Sequence, residues 1–305
     1  MHGHWDLVPG LLRALAAQSL APADILLADN EALPPDAAPD AAADPTRAPT
    51  RAPTRALAPD LAPDLLSPLP VPARILPAPG PGSYAARNIA ARAALAGAPE
   101  ALLAFTDADC RPDPGWLAAL AAGAAAHPGA LLAGPVRMEA PARRTAAATF
   151  DRLRGIPQAR YVARGYAATA NLAVPGPVFA ALGGFDASRR SGGDAEFCRR
   201  AGAAGHPLRL LPDAGVSHPV RADWAGLAVK ARRVKGGQVA AGPRRRRLAW
   251  VLRSLCPPVT DSRALLGAPA PWRDRLVALA VRFALWGVEL AEVARLLAGG
   301  RPERR

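Results

Sequence analysis

Apolar residues along this chain follow two periods, and together they predict alternating helices and strands. Residues 5–17 carry Leu7, Leu11, Leu12 and Leu15 at helical spacing. Residues 24–30 form a short apolar run that ends in Asp29 and Asn30, a buried strand with a polar end. A third short run, 73–76, reads as a strand and is followed by a helix over 83–95 that stops at Gly97. Leu102 to Thr106 reads as a strand buried on both faces, and a helix over 116–126 ends at His127-Pro128. Further on come an extended run at 131–136, another at 165–174, a short helix at 178–182, a helix at 196–204 and a strand at 208–211. Strands that alternate with helices imply one α/β body up to about residue 220, built on a mainly parallel sheet flanked by helices.

One segment breaks the pattern. Residues 31–72 are rich in Ala, Pro and Asp and repeat Pro-Thr-Arg-Ala from Pro45 to Ala56. Proline at every third or fourth position excludes both helix and central strand, so a disordered surface insertion is expected there. The last stretch, 221–305, is also distinct. It holds 18 Arg/Lys against 6 Asp/Glu, a net +12 of the chain's +13. A uniformly basic nucleic-acid binder is therefore disfavoured, and no aromatic stacking pattern accompanies the arginines; a catalytic body (1–220) with a basic helical extension (221–305) is expected. In that extension Leu276, Leu279, Phe283, Trp286, Leu290, Val293 and Leu297 recur on one side of a helix, and charged residues mostly take the other. The stripe suits packing on the body, whereas Arg244–Arg247 suit peripheral contact with an anionic membrane. Cys110, Cys198 and Cys256 show no paired spacing, which argues for a reducing compartment, the cytoplasm or the inner membrane face. No transmembrane span or signal peptide is expected.

Candidate chemistry gathers behind the 102–106 strand. Asp107 and Asp109 sit just past its carboxyl end, where open α/β sheets bind ligands. Two carboxylates spaced i, i+2 can hold a hard divalent cation, and the cation can hold a diphosphate.

With these residues in place, six segments together resemble a family 2 glycosyltransferase of the GT-A type. They are Tyr84-Ala85-Ala86-Arg87-Asn88, Phe105 through Pro112, Ala170 through Val174, Gly183-Gly184-Phe185-Asp186, Gly192 through Arg200, and Pro212 through His218. The resemblance covers about 5–30 and 73–225. It implies transfer of a sugar from a nucleotide diphosphate donor, UDP being the family-weighted choice, to an acceptor hydroxyl with inversion. By the same resemblance Asp29 contacts the donor base, Arg87 borders the donor, Asp107 faces the ribose, and Asp109 holds Mn²⁺ or Mg²⁺. His218 matches a histidine that completes metal coordination in some relatives, and Asp194 matches the catalytic base. The acceptor would be lipid-linked or a polysaccharide.

Plainer roles stand beside these. Asp29 also fits a strand-end cap, Asp194 an N-cap after Gly-Gly, and Asn171 a buried turn. Two departures from the family matter. The family carries Glu before the base where this chain has Gly193, and it opens with a central strand ahead of the first helix where only Met1–His4 stand here. The first strand is thus expected to be missing, either because the true start lies upstream of Met1, the favoured reading, or because the protein lacks the strand, which keeps a catalytically inactive nucleotide- or partner-binding relative in view.

Overall fold

The computed structural model describes residues 5–30, 71–79 and 82–302. The expected insertion at 31–72 lies almost wholly outside the described residues. In chain order the elements are α1 (Val8–Ala16), β1 (Ile25–Asp29), β2 (Ala73–Pro77), α2 (Ser83–Gly97), β3 (Leu102–Thr106), β4 (Arg111–Pro112) and α3 (Trp116–Ala126). Then follow β5 (Leu131–Ala133), β6 (Val136–Met138), α4 (Ala146–Arg154), α5 (Gln158–Val162), β7 (Asn171–Pro175), α6 (Gly176–Ala181), α7 (Gly193–Ala203), β8 (Leu208–Leu210) and β9 (Val216–His218). The extension is helical: α8 (Trp224–Ala240), α9 (Arg244–Leu255), α10 (Val259–Leu266) and α11 (Trp272–Leu297).

A four-stranded sheet, ordered β3-β7-β5-β8, forms the centre of the molecule. β3, β5 and β8 run one way and β7 runs against them, so the sheet is mixed around that one reversed strand. Its residues alternate between two cores, as pleating requires. Leu132 and Ala173 face one core with α1 and with Trp116 and Leu120 of α3. Leu103, Phe105, Leu131 and Leu172 face the other, with Tyr84 and Ala91 of α2, Phe179 of α6 and Phe197 of α7. The extended run at 131–136 divides at Gly134-Pro135. Proline cannot donate to a ladder, and a Cβ on Gly134 would lie 1.7 Å from the Ala214 carbonyl oxygen. β6 therefore leaves the central sheet and joins a second one, β4-β9-β6.

β1 and β2 pair in parallel as a separate two-stranded sheet, with Leu27 opposite Ile75. Among the described residues no strand bridges β1 and β3. The space between them is a slot lined by Leu26 and Leu27 on one side, Ala104 and Phe105 on the other, and Leu11 and Leu15 of α1. It opens the outer side of β3, where Leu102 and Ala104 are only half-buried while Leu103 and Phe105 are buried. Among the described residues the sheet is thus divided between β1 and β3.

Asn171 is fully buried and belongs to the scaffold. It accepts from Trp116 Nε1 at 2.9 Å and donates to the carbonyls of Ala214 at 2.7 Å and Pro135 at 3.1 Å. Asn171→Ala would strand the Trp116 Nε1–H and the Ala214 carbonyl, at about 1–3 kcal/mol each, while the Pro135 carbonyl keeps the Val216 N–H. The expected outcome is a loss of at least about 2 kcal/mol in urea unfolding with an unchanged slope.

α11 docks differently from its sequence pattern. Its contact with α4, α8 and α10 is made by Ala278, Val281 and Leu285, which join Phe150, Leu227 and Leu265 in a third core. Of the apolar stripe, Val293 is buried but Leu276, Phe283 and Leu297 are exposed, and the charged Arg282 and Glu292 are buried instead. Small Ala278 allows close helix approach, and ion pairs satisfy the inward charges.

Candidate active site

Pairing between β4 and β9 assembles the acidic centre. Arg111 lies opposite Ser217 in an antiparallel ladder, so the chain just before β4 meets His218 at the end of β9. Asp107 and Asp109 sit in this β3–β4 turn, which is closed by Cys110 N–H donating to the Asp107 carbonyl at 3.0 Å. Ligand atoms of Asp107, Asp109, Cys110 and His218 all lie within 4.8 Å of one another.

The donor set fits a hard divalent cation. His218 Nδ1 lies 2.6 Å from the Pro219 carbonyl oxygen, which can only accept, so Nδ1 carries the hydrogen. The lone pair of Nε2 then faces Asp109 Oδ2 at 3.6 Å, too far for a hydrogen bond and suited to a shared cation. Cys110 is fully buried, and burial together with Asp107 and Asp109 pushes its thiol pKa far up. It stays a neutral thiol, a poor ligand for Mn²⁺ or Mg²⁺, and leaves Asp107, Asp109 and His218 as the binding groups.

Arg87 reaches Asp107 from α2, with Nη2 2.5 Å from Oδ1. Burial alone would raise the Asp107 carboxyl, but the charge of Arg87 and its hydrogen bond hold it below the usual range. Arg87 is aimed by its neighbour: Asn88 accepts from Phe185 N–H at 2.9 Å and donates to the Phe185 carbonyl at 2.7 Å. The Phe185 ring in turn packs on Phe197, centroids 4.8 Å apart. Two of the six segments are thereby clamped together.

Asp194 lies across the same cleft. The N-cap of α7 is Gly192, at φ +71°, and Asp194 stands inside the first turn, which corrects the expected N-cap role. Its Oδ1 accepts from Ala195 N–H at 2.8 Å and from the Tyr84 hydroxyl at 3.3 Å. Burial raises its pKa despite these bonds and the charge of Arg87. The Tyr84 ring also accounts for Gly193: a Cβ there would lie 2.7 Å from Tyr84 Cε2, so the glutamate of the family pattern has no room. Asp29 ends β1 and is buried.

Asp107, Asp109, His218, Arg87 and Asp194 all line one cavity of about 2240 Å³, which continues into the slot between β1 and β3. Its far wall is basic, and sequence reasoning missed it. Asp151 of α4 accepts from Arg221 N–H at 2.9 Å and lies 3.7 Å from both Arg221 Nη1 and Lys230 Nζ. Lys230 and Arg233 are three residues apart on α8 and both line the cavity; Arg233 Nε is buried with no hydrogen-bond partner among the described residues. That i, i+3 spacing was the available signal.

The fold is that of the GT-A-type glycosyltransferases. A mannosyltransferase from Pyrobaculum calidifontis, PcManGT, solved with GDP-Man and Mn²⁺, superposes over 98% of this chain and 83% of its own, at a TM-score of 0.51 and 16% identity. S. aureus TarS with UDP-GlcNAc aligns over 97% of this chain and 89% of its own, at 0.47 and 13%. In sequence the chain is similar to the glycosyltransferase AglE of Haloferax volcanii, 33% identical over 159 residues, or 52% of this chain and 51% of AglE. It thus spans about half the length of that relative. No family model matches the chain.

Proposed function

We propose that this chain is an inverting, metal-assisted family 2 glycosyltransferase, with residues 1–220 as its transferase body and 221–305 as a basic extension walling the cleft. The observation that carries the reading is one cleft holding the Asp107–Asp109–His218 cluster, the half-buried carboxylate Asp194 and the basic residues Arg221, Lys230 and Arg233. Asp29 takes the donor base, Asp107 the ribose, and Asp109 with His218 the cation. Mn²⁺ or Mg²⁺ bound there supplies charge neutralisation for the departing diphosphate. Arg221, Lys230 and Arg233 add positive charge to the same cleft. The acceptor oxygen bonds to the anomeric carbon and gives its proton to Asp194. The bond from that carbon to the phosphate oxygen breaks, and the nucleoside diphosphate leaves with the electron pair. UDP and GDP are the first nucleotides to try, GDP-Man being the ligand named for PcManGT. The three cysteines are free, in keeping with a cytoplasmic setting. No described helix is long and apolar enough to cross a membrane.

The test is calorimetric titration of UDP and GDP with and without Mn²⁺, followed by donor turnover. Metal-dependent binding with turnover supports the proposal. The divided sheet favours a second reading, a nucleotide binder without turnover, and binding with no product in any acceptor screen would select it.

The basic wall gives a pH dependence. Burial lowers the Lys230 pKa to about 8, with Arg221 pushing the same way against Asp151. Below about pH 8 the ammonium is charged, and it is lost as pH rises through that value. A bound diphosphate favours the charged form, so nucleotide binding takes up a proton near pH 8 and weakens between pH 7 and 9. Calorimetry in buffers of different ionisation enthalpy reads this uptake, and Lys230→Met abolishes it.

A further inference from the structure

α11 buries Ala278, Val281 and Leu285 together with charged residues, and it leaves several large apolar groups outside. Its inward side holds Arg282, which bonds to Asp261 at 3.0 Å and pairs with Glu289 at 3.2 Å, and it also holds the Lys235–Glu289 pair at 3.2 Å. Its outward side presents Trp272, Leu276 and Phe283. A helix whose charges are satisfied inside and whose large apolar groups face out has its apolar face turned to something other than water. α9 shows the same thing on a smaller scale. Leu248, Leu252 and Leu255, at i, i+4 and i+7, are 59%, 56% and 58% exposed. The two helices are joined beside Phe283: Trp286 Nε1 donates to the Ser254 carbonyl at 2.9 Å, and the Phe283 and Trp286 rings are 6.1 Å apart.

Charge identifies the partner. Arg244, Arg245, Arg247 and Arg253 of α9 are exposed around the leucines. Every acidic residue described between 241 and 302, namely Asp261, Asp274, Glu289 and Glu292, is held in an ion pair with an arginine or lysine. The surface therefore offers leucine, tryptophan and phenylalanine with uncompensated guanidinium groups. A second copy would bring like charge onto itself. We propose that the outward faces of α9 and α11 form a docking surface for an anionic phospholipid bilayer, the leucines entering the interface and the arginines meeting headgroups. Arg246 and Trp250, also on α9, line the catalytic cleft, so docking sets the mouth of the cleft at the membrane. A lipid-linked acceptor follows if the transferase reading holds; the docking surface itself does not depend on that reading.

The experiment is co-sedimentation of the full chain with vesicles of phosphatidylcholine alone or mixed with phosphatidylglycerol. Binding to the anionic vesicles, weakened by salt, is expected. Leu248→Glu/Leu252→Glu should lower it by roughly tenfold or more, and Arg244→Gln/Arg245→Gln by about fivefold per charge. The arginine variant, whose changes lie on exposed side chains, decides the matter if the glutamate variant does not fold. Nucleotide titration of each variant separates lost docking from a lost donor site. Absence of vesicle binding, equal binding to neutral vesicles, unchanged binding by the arginine variant, or self-association without lipid binding would each overturn the proposal.

Discussion

Asp194→Asn is expected to lower turnover by about 10²- to 10⁴-fold, the range attributable to a positioned general base, while Mn²⁺-dependent nucleotide affinity stays within about twofold. As the proposed base, the residue meets the acceptor hydroxyl and not the diphosphate, so its loss should leave donor binding intact and remove the proton acceptor. Burial raises the pKa of this carboxyl. A raised folded-state pKa means that the ionised form costs stability, and the cost is present once pH exceeds that pKa. The asparagine variant should therefore melt no lower than wild type at neutral pH, a combination that a merely structural residue would not show. The acid limb of kcat/KM should lie above the ordinary carboxylate range. Tyr84→Phe removes a hydrogen bond to the ionised form and should move that limb higher still. Equal turnover in Asp194→Asn would remove the residue from the mechanism.

Asp109→Ala is expected to abolish the Mn²⁺ enhancement of nucleotide binding, on the order of 100-fold or more if the cation contributes several kcal/mol, with little change in metal-free affinity. Asp109 Oδ2 and His218 Nε2 face each other with no hydrogen between them, so each loses its purpose without the other. His218→Ala should therefore show a smaller loss of the same kind. Parallel calorimetry on both variants reads the outcome, and Mn²⁺ dependence persisting in Asp109→Ala would place the cation elsewhere.

Much of the centre was legible in the sequence, because the features that build it are local. The run from Leu102 to Asp109 declares strand, turn and carboxylates in one stretch, and α3 spans 116–126 as expected and ends at His127. What sequence could not show depends on partners distant in the chain. The meeting of His218 with Asp109 needs the β4–β9 register, and Gly193 makes sense only against the Tyr84 ring, 109 positions away. The basic wall needs Asp151 of α4 to collect Arg221 and Lys230. Periodicity pointed to the wrong side of α11, because a helical stripe records which face is apolar and not which neighbour it meets. Close approach at Ala278 and a buried ion-pair network decided that instead.

The slot between β1 and β3 makes stiffness uneven across the nucleotide cleft. β7 is held by hydrogen bonds to β3 and β5 on its two sides, so the wall bearing the β3 aspartates is rigid. β1 and β2 form a two-stranded leaf whose attachment to the central sheet is chiefly side-chain packing through α1 and α2. The end of that leaf, where Ala28 and Asn30 line the cavity, therefore sits on the compliant side of the cleft. Whatever nucleotide reaches both walls would brace the leaf against the sheet, and its binding energy would be divided between contact and bracing.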